Sequence, residues 1–265
     1  MNTGNHGDCD KAIGDYTEAI RLNPKETAAY CGRGVAYGKR GELDKAIADF
    51  SEAIRLDPNY AHAYCNRGII YRKKGDYDKA IADYTEAIRL DSKDAVAYIN
   101  RGNAYADQSE FDKAIADFSE AIRLDPNDLA AYCGRGGVYL KKGETDKAIA
   151  DCNVAIRLDP KDAQAYYNRG VAHGGKGDAD KVIADCTEAI HLDPKLAQAY
   201  YNRGVAYGKK GENDRAIADY SEAIHLNPKY AKAYSNRGWA YEKKGDKAKA
   251  EEDFEQAKKL GYKAP

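Results

Sequence analysis

Asn66, Asn100, Asn168, Asn202 and Asn236 recur at one fixed interval or a multiple of it. A primary amide donates and accepts together, so it can pair with both polar groups of a peptide bond. A spaced row of amides therefore suits an extended chain whatever its side chains. The competing reading is that each amide caps local backbone or contacts the next helix. Tyr167 and Tyr201 each precede one of these amides, and Trp239 and Asn103 share a second place three residues beyond the amide position. An amphipathic indole binds well once desolvated, although Trp239 can equally pack within its own segment. Lys73 belongs to a third row, with Lys39, Lys141, Lys209 and Lys243, which either edges a binding surface with positive charge or is a solvated helix end.

Covalent and metal chemistry finds less support. The six cysteines include no C-x-x-C pair. Cys31 and Cys65 hold equivalent places on adjacent segments, and stacked helices separated by about 10 Å are too far apart for a disulfide. Reduced thiols favour a cytoplasmic location. Of the histidines, only His191 and His225 hold equivalent places, and no Ser/His/Asp set, phosphate-cradling glycine loop or paired-carboxylate pocket emerges. The expectation is a protein that is not an enzyme, with no catalytic residue, metal or cofactor.

The interval itself dictates the elements. Asn23-Pro24, Asp57-Pro58, Asp125-Pro126, Asp159-Pro160, Asp193-Pro194 and Asn227-Pro228 fall in a single 34-residue frame, with Asp91-Ser92 filling its one gap. Within a segment, Tyr64, Gly68 and Tyr71 stand at i, i+4, i+7, one stripe of a helix, here called A. Gly75 can take positive φ and close it. A second stripe, Ala80, Ile81, Tyr84, Ala87 and Ile88, marks helix B. Neither stripe is hidden by one helix pair, so neighbouring pairs must stack and share a core.

These residues resemble the tetratricopeptide repeat (TPR) family, whose spacing of aromatic, Gly, Tyr, Ala, aromatic and Pro is met by Tyr200, Gly204, Tyr207, Ala216, Tyr220 and Pro228. The resemblance implies an all-α, right-handed superhelical solenoid of stacked antiparallel helix pairs. Residues 1–7 are expected to be a disordered start and 8–26 a half repeat with helix B only. Seven units follow over 27–264: 27–60, 61–94, 95–128, 129–162, 163–196, 197–230 and 231–264. Ser109 replaces the turn glycine, His173 a Tyr, Val182 a small Ala, and Cys152 and Cys186 the helix B aromatic.

One departure is systematic. Where the family has Leu before the helix A glycine, Arg33, Arg67, Arg101, Arg135, Arg169, Arg203 and Arg237 stand instead. In a hairpin folded at the glycine they face Asp49, Asp83, Asp117, Asp151, Asp185, Asp219 and Asp253. An Arg–carboxylate bridge is expected in every unit, because a lone buried charge is costly.

The resemblance also implies that the amide-bearing face lines a concave groove, where asparagine ladders hold peptide backbones. A clamp lysine for a chaperone's terminal carboxylate is missing at the place held by Cys31, Cys65, Ile99, Cys133, Tyr167, Tyr201 and Ser235. Forty-two basic against 43 acidic residues leave a formal charge of −1, so nucleic acid and anionic membrane surfaces are not expected partners. The resulting expectation is a non-catalytic protein-interaction scaffold holding an extended peptide of an unidentified protein partner. The alternative is a module that forms a homodimer through its incomplete N-terminal end, residues 8–37.

Overall fold

The computed structural model describes residues 3–262. Among them every regular element is α-helical: α1 (Thr3–Leu22), α2 (Thr27–Arg40), α3 (Leu43–Leu56), α4 (Ala61–Lys74), α5 (Tyr77–Leu90), α6 (Ala95–Asp107), α7 (Phe111–Leu124), α8 (Leu129–Lys142), α9 (Thr145–Leu158), α10 (Ala163–Gly175), α11 (Ala179–Leu192), α12 (Ala197–Lys209), α13 (Asn213–Leu226), α14 (Ala231–Lys243) and α15 (Lys247–Lys259). From α2 onward, even-numbered helices are A and odd-numbered helices are B. Helix α1 is a B helix that begins at Thr3, ahead of the boundary drawn at residue 8. Once a helix is nucleated each further residue adds a hydrogen bond at little cost, so residues 3–7 continue it. Residues 1, 2, 263 and 264, which the repeat boundaries also assign, lie outside the described residues.

The chain divides into two compact bodies, residues 1–134 and 135–265, and α8 contributes to both. In the first, α1 to α7 each pack on the next; in the second, α9 to α15 do the same. Successive A helices also touch, α2 with α4 and α4 with α6 in the first body, α10 with α12 and α12 with α14 in the second. The A helices therefore form the inner layer of each body.

Local chemistry explains the corners. Six A helices with a glycine at the turn end at residues with φ between 74° and 84°, as at Gly75 (81°), and Ser109 takes φ 62° in place of the missing glycine. At the other corner Asp57 Oδ1 accepts the Asn59 N–H at 2.9 Å, and Asp91 Oδ1 accepts the Lys93 N–H at 3.0 Å. This side-chain turn forms whether or not proline follows, so Ser92 does not interrupt the frame.

Helix A meets helix B at a glycine facing a ring. A Cβ on Gly68 would lie 2.7 Å from Tyr84 Cε1, and one on Gly204 2.8 Å from Tyr220 Cε1. The expected Arg–Asp bridge is present in all seven pairs. Arg203 Nε and Nη2 donate to the two carboxylate oxygens of Asp219 at 2.9 and 2.8 Å, and Arg33, Arg67, Arg101, Arg135, Arg169 and Arg237 repeat the fork. All seven aspartates are buried. Most of these guanidiniums reach back as well, to Thr17, Ser51, Thr85, Asn153, Thr187 or Ser221 on the preceding B helix. Tyr rings of the same A helix flank the cation, Tyr64 and Tyr71 at 5.8 and 5.9 Å from Arg67. The arginine thus joins its own hairpin to the one before it.

Candidate functional site

The amide row lies on the A helices as the spacing requires, but its donors are largely engaged. Asn66 Nδ2 donates to Cys31 Sγ at 3.8 Å and to the His62 carbonyl at 2.9 Å. Asn100 Nδ2 donates to Cys65 Sγ at 3.8 Å, and Asn236 Nδ2 to Tyr201 Oη at 3.0 Å. Asn202 lies beside Tyr167, whose hydroxyl it favours in the ionised form against burial. In each case the partner is the residue before the amide position of the preceding repeat, so the row also pins successive A helices together. Asn168 differs: its Oδ1 accepts from Gln164 Nε2 at 2.9 Å. At Asn66 both amide hydrogens are used, leaving the carbonyl oxygen, whereas Asn100 and Asn236 each show one Nδ2 bond, so only part of the donor capacity expected from sequence is spent there.

Both glycines that interrupt the row have a packing reason. A Cβ on Gly32 would lie 2.3 Å from the Tyr16 ring, and one on Gly134 2.5 Å from the Phe118 ring. The preceding B helix's aromatic swings into the space that an asparagine fills elsewhere.

Tyr167 and Tyr201 are half-buried and belong to the packing between repeats. Tyr201 stacks on Tyr230 at 4.9 Å between centroids and lies 5.9 Å from Tyr220. Burial pushes both hydroxyls above the usual phenol range, opposed by their asparagine partners. Trp239 meets Phe254 edge-on at 5.1 Å yet remains 47% exposed. It combines the two alternatives read from sequence. Asn103 is half-buried on α6, and Lys73 is exposed on α4.

Three cavities open on the A helices, each beside one of the amides. In the first body, Ile69, Arg72, Lys73, Tyr84, Asn100 and Asp107 line about 340 Å³. There Arg72 Nε pairs with Asp107 at 2.7 Å, and the buried Tyr84 hydroxyl has no partner among the described residues. In the second body, about 220 Å³ lies among Gly170, Val171, Gly174, Val182, Asn202, Val205 and Lys209. A neighbouring cavity of about 220 Å³ is lined by Val205, Lys209, Asn213, Tyr220, Asn236, Trp239 and Lys243. Val205 and Lys209 form a wall common to both.

Charge is distributed differently along the same helix ends. Lys74, Lys176, Lys210 and Lys244 each reach an aspartate thirty residues back, Asp44, Asp146, Asp180 and Asp214. Lys73, Lys209 and Lys243, one position earlier, have no ion-pair partner among the described residues. This second basic–acidic ladder was not read from sequence, although a constant thirty-residue offset between Lys and Asp is its signal.

Burial raises the Cys65 thiol to about 11 and those of Cys152 and Cys186 to about 12, so none of these three is poised as a nucleophile. None of the six cysteines is in a disulfide. Among the described residues no three His, Cys, Asp or Glu side chains converge as a metal site requires, and no helix is long and apolar enough to cross a membrane.

Comparison with solved structures shows the same architecture elsewhere. The Cut9–Hcn1 assembly of the APC/C matches with a TM-score of 0.74 at 20% identity over 88% of this chain, which spans only 46% of that one. A tetratricopeptide repeat protein from Parabacteroides merdae matches at 0.71 and 23% identity, covering 89% of this chain and 93% of that one. At these identities the likeness concerns the fold. YrrB, a TPR protein with an unusual peptide-binding site, matches at 0.58 and 26% identity over 69% of this chain and 95% of its own. No curated protein matches significantly. Models of the TPR repeat match residues 38–75 and 68–109, and models of the tetratricopeptide repeat match 99–163, 163–196, 197–230 and 231–260. With family models spanning residues 38–260 and the helix pairs in the frame those models describe, this chain belongs to the tetratricopeptide repeat family.

Proposed function

We propose that this protein is a non-catalytic interaction scaffold whose A-helix faces hold an extended peptide segment of a protein partner. Tetratricopeptide repeat proteins are protein-interaction scaffolds, and YrrB carries a peptide-binding site. The observation that carries the reading here is Trp239: a large ring left 47% exposed beside a cavity that holds Asn236 and two lysines without ion-pair partners. The amide oxygens of Asn66, Asn100 and Asn236 accept ligand N–H groups, while their Nδ2 groups keep adjacent repeats in register. Asn202 and Asn168 lie on the same face, and Lys73, Asn103, Tyr167 and Tyr201 complete the candidate surface.

Panning a random peptide display library on the immobilised protein tests this. Enriched peptides are expected to lose affinity for Trp239→Ala and Asn236→Ala, both of which should stay folded by circular dichroism. Enrichment unchanged by either substitution removes the reading.

Self-association through residues 8–37 is favoured by one observation, the 70% exposure of Leu22 at the end of α1. It requires a mass that rises with concentration in sedimentation and falls when Ile13 and Tyr16 are replaced by charged residues.

A further inference from the structure

We infer that the two adjoining cavities of the second body select a polyproline II segment with an aliphatic residue at i, a hydroxyl- or N–H-bearing aromatic at i+3, and carboxylates flanking the latter. This deepens the peptide reading above and rests on it.

Spacing sets the conformation. The cavities repeat with the stacking of α10, α12 and α14, and packed helices lie about 8–10 Å apart. In polyproline II three residues make one turn and rise about 9 Å, so i and i+3 face the same way at that distance. A β-strand rises about 3.3 Å per residue and alternates faces, so i and i+2 fall short while i and i+4 overshoot. A ligand α-helix matches at i and i+7, about 10.5 Å, but its backbone N–H groups are consumed internally. It offers nothing to the amides in the two cavities, Asn202 and Asn236. Polyproline II leaves every N–H free except those of proline itself.

The linings set the side chains. The first cavity is walled by Gly170, Val171, Gly174, Val182, Val205 and Ala206. Its wall residue Gly170 faces Cys186, which replaces the aromatic of helix B, and Gly174 contributes no side chain. Apart from Asn202 and Lys209 it offers no polar side chain, which suits Leu, Ile or Val. The second cavity is floored by Tyr220 and flanked by Trp239, and it includes Asn213, whose Oδ1 is buried without a hydrogen-bond partner. A buried acceptor left unmet costs stability, so it calls for a ligand donor at the tip of an otherwise apolar group. Tyrosine meets that requirement.

Charge sets the flanks. Lys209 stands in the wall common to both cavities and Lys243 on the far side of the second. Their neighbours Lys210 and Lys244 are neutralised by Asp180 and Asp214, and neither cavity contains an acidic residue. The first-body cavity differs, because Asp107 lies inside it and pairs with Arg72. An acidic ligand therefore fits the second body.

Trp239 is the only tryptophan, so its emission reports occupancy directly when excited beyond tyrosine absorption. The probes are blocked synthetic peptides with the core Leu-Glu-Pro-Tyr-Glu, and the same core shortened or lengthened by one proline between Leu and Tyr. The i+3 peptide is expected to shift the emission and to bind about tenfold or more tightly than either respaced peptide. Gly174→Leu fills the first cavity from a helical position where an added Cβ meets only Val182 Cγ2 at 3.6 Å. It should erase the advantage of the i+3 spacing while the variant unfolds at an unchanged or higher denaturant midpoint, since leucine is the better helix former. Lys209→Glu should weaken binding by a similar factor, and more at low salt. If all three spacings bind alike, or if Gly174→Leu leaves the preference intact, this inference falls while groove binding stands. If none of the three perturbs Trp239 at millimolar concentration but panned peptides do, the residue pattern is wrong. If panned peptides also fail, the groove reading falls with it.

Discussion

Two rows of polar side chains run through the repeats, and they are finished to different degrees. In the Arg–Asp row the fork is complete in every pair, the carboxylates are buried, and most guanidiniums are further bonded to the preceding B helix. In the asparagine row the amide nitrogens of Asn66, Asn100 and Asn236 are engaged while the oxygens stay available, and glycine interrupts twice. A buried charge cannot be left half-satisfied, because the unpaired state carries the whole desolvation cost. A half-buried amide can use water for its second partner until a ligand arrives. Completeness thus separates a row that holds the fold from one that can also bind.

The sharpest test of that separation is Arg203→Met, which strands Asp219 and is expected to cost about 3–5 kcal/mol in chemical denaturation. Adding Asp219→Leu should recover most of the loss, since two apolar groups leave no buried charge. A single substitution costing under 1 kcal/mol would place the bridge among solvated surface pairs.

The next effect concerns the interruptions of the amide row. Gly134→Ala drives a Cβ to 2.5 Å from Phe118 and should cost about 1–3 kcal/mol. Gly136→Ala, whose nearest neighbour is Asp151 Cβ at 3.4 Å, should be close to neutral. Equal penalties would mean that the ring of Phe118 does not dictate the glycine.

A smaller loss is expected for Asn236→Ala, about 0.5–1.5 kcal/mol for its bond to Tyr201, measured beside Arg203→Met. A loss as large as that of Arg203→Met would make the amide row structural.

The smallest effect is a pH dependence. His173 stands where other repeats have Tyr, 3.8 Å from Asp185 in the Arg–Asp row. Burial holds its imidazole below the ordinary value, with Asp185 opposing. The unfolded chain then takes up the proton first, so stability is full above a pH of about 6.5 and declines as the pH falls through the window below it. His173→Tyr should flatten that decline in midpoint-against-pH measurements.

Much of this was legible from spacing because each repeat is a local hairpin whose partners sit at fixed offsets. Arg203 opposite Asp219, sixteen residues on, follows from folding at Gly211, and the glycine's positive φ follows from the turn. The amides were legible as a row, and contact with the next helix as one of two readings, but not the partners Cys31, Cys65 and Tyr201 through which they join successive repeats. Cys186 was visible as a departure, yet only side-chain packing shows that Gly170 beside it and Gly174 leave a cavity next to Asn202.

The sequence by itself determined the helix pair, its corners, the period and the buried ion pair, because these depend on backbone propensity and on contacts within a few turns of chain. The tertiary structure decided which polar groups remain unmet, where Trp239 stands between packing and solvent, and which lysines keep their charge unpaired. Those outcomes depend on the side chains that neighbouring repeats bring within a few ångströms, and no one-dimensional spacing encodes that distance.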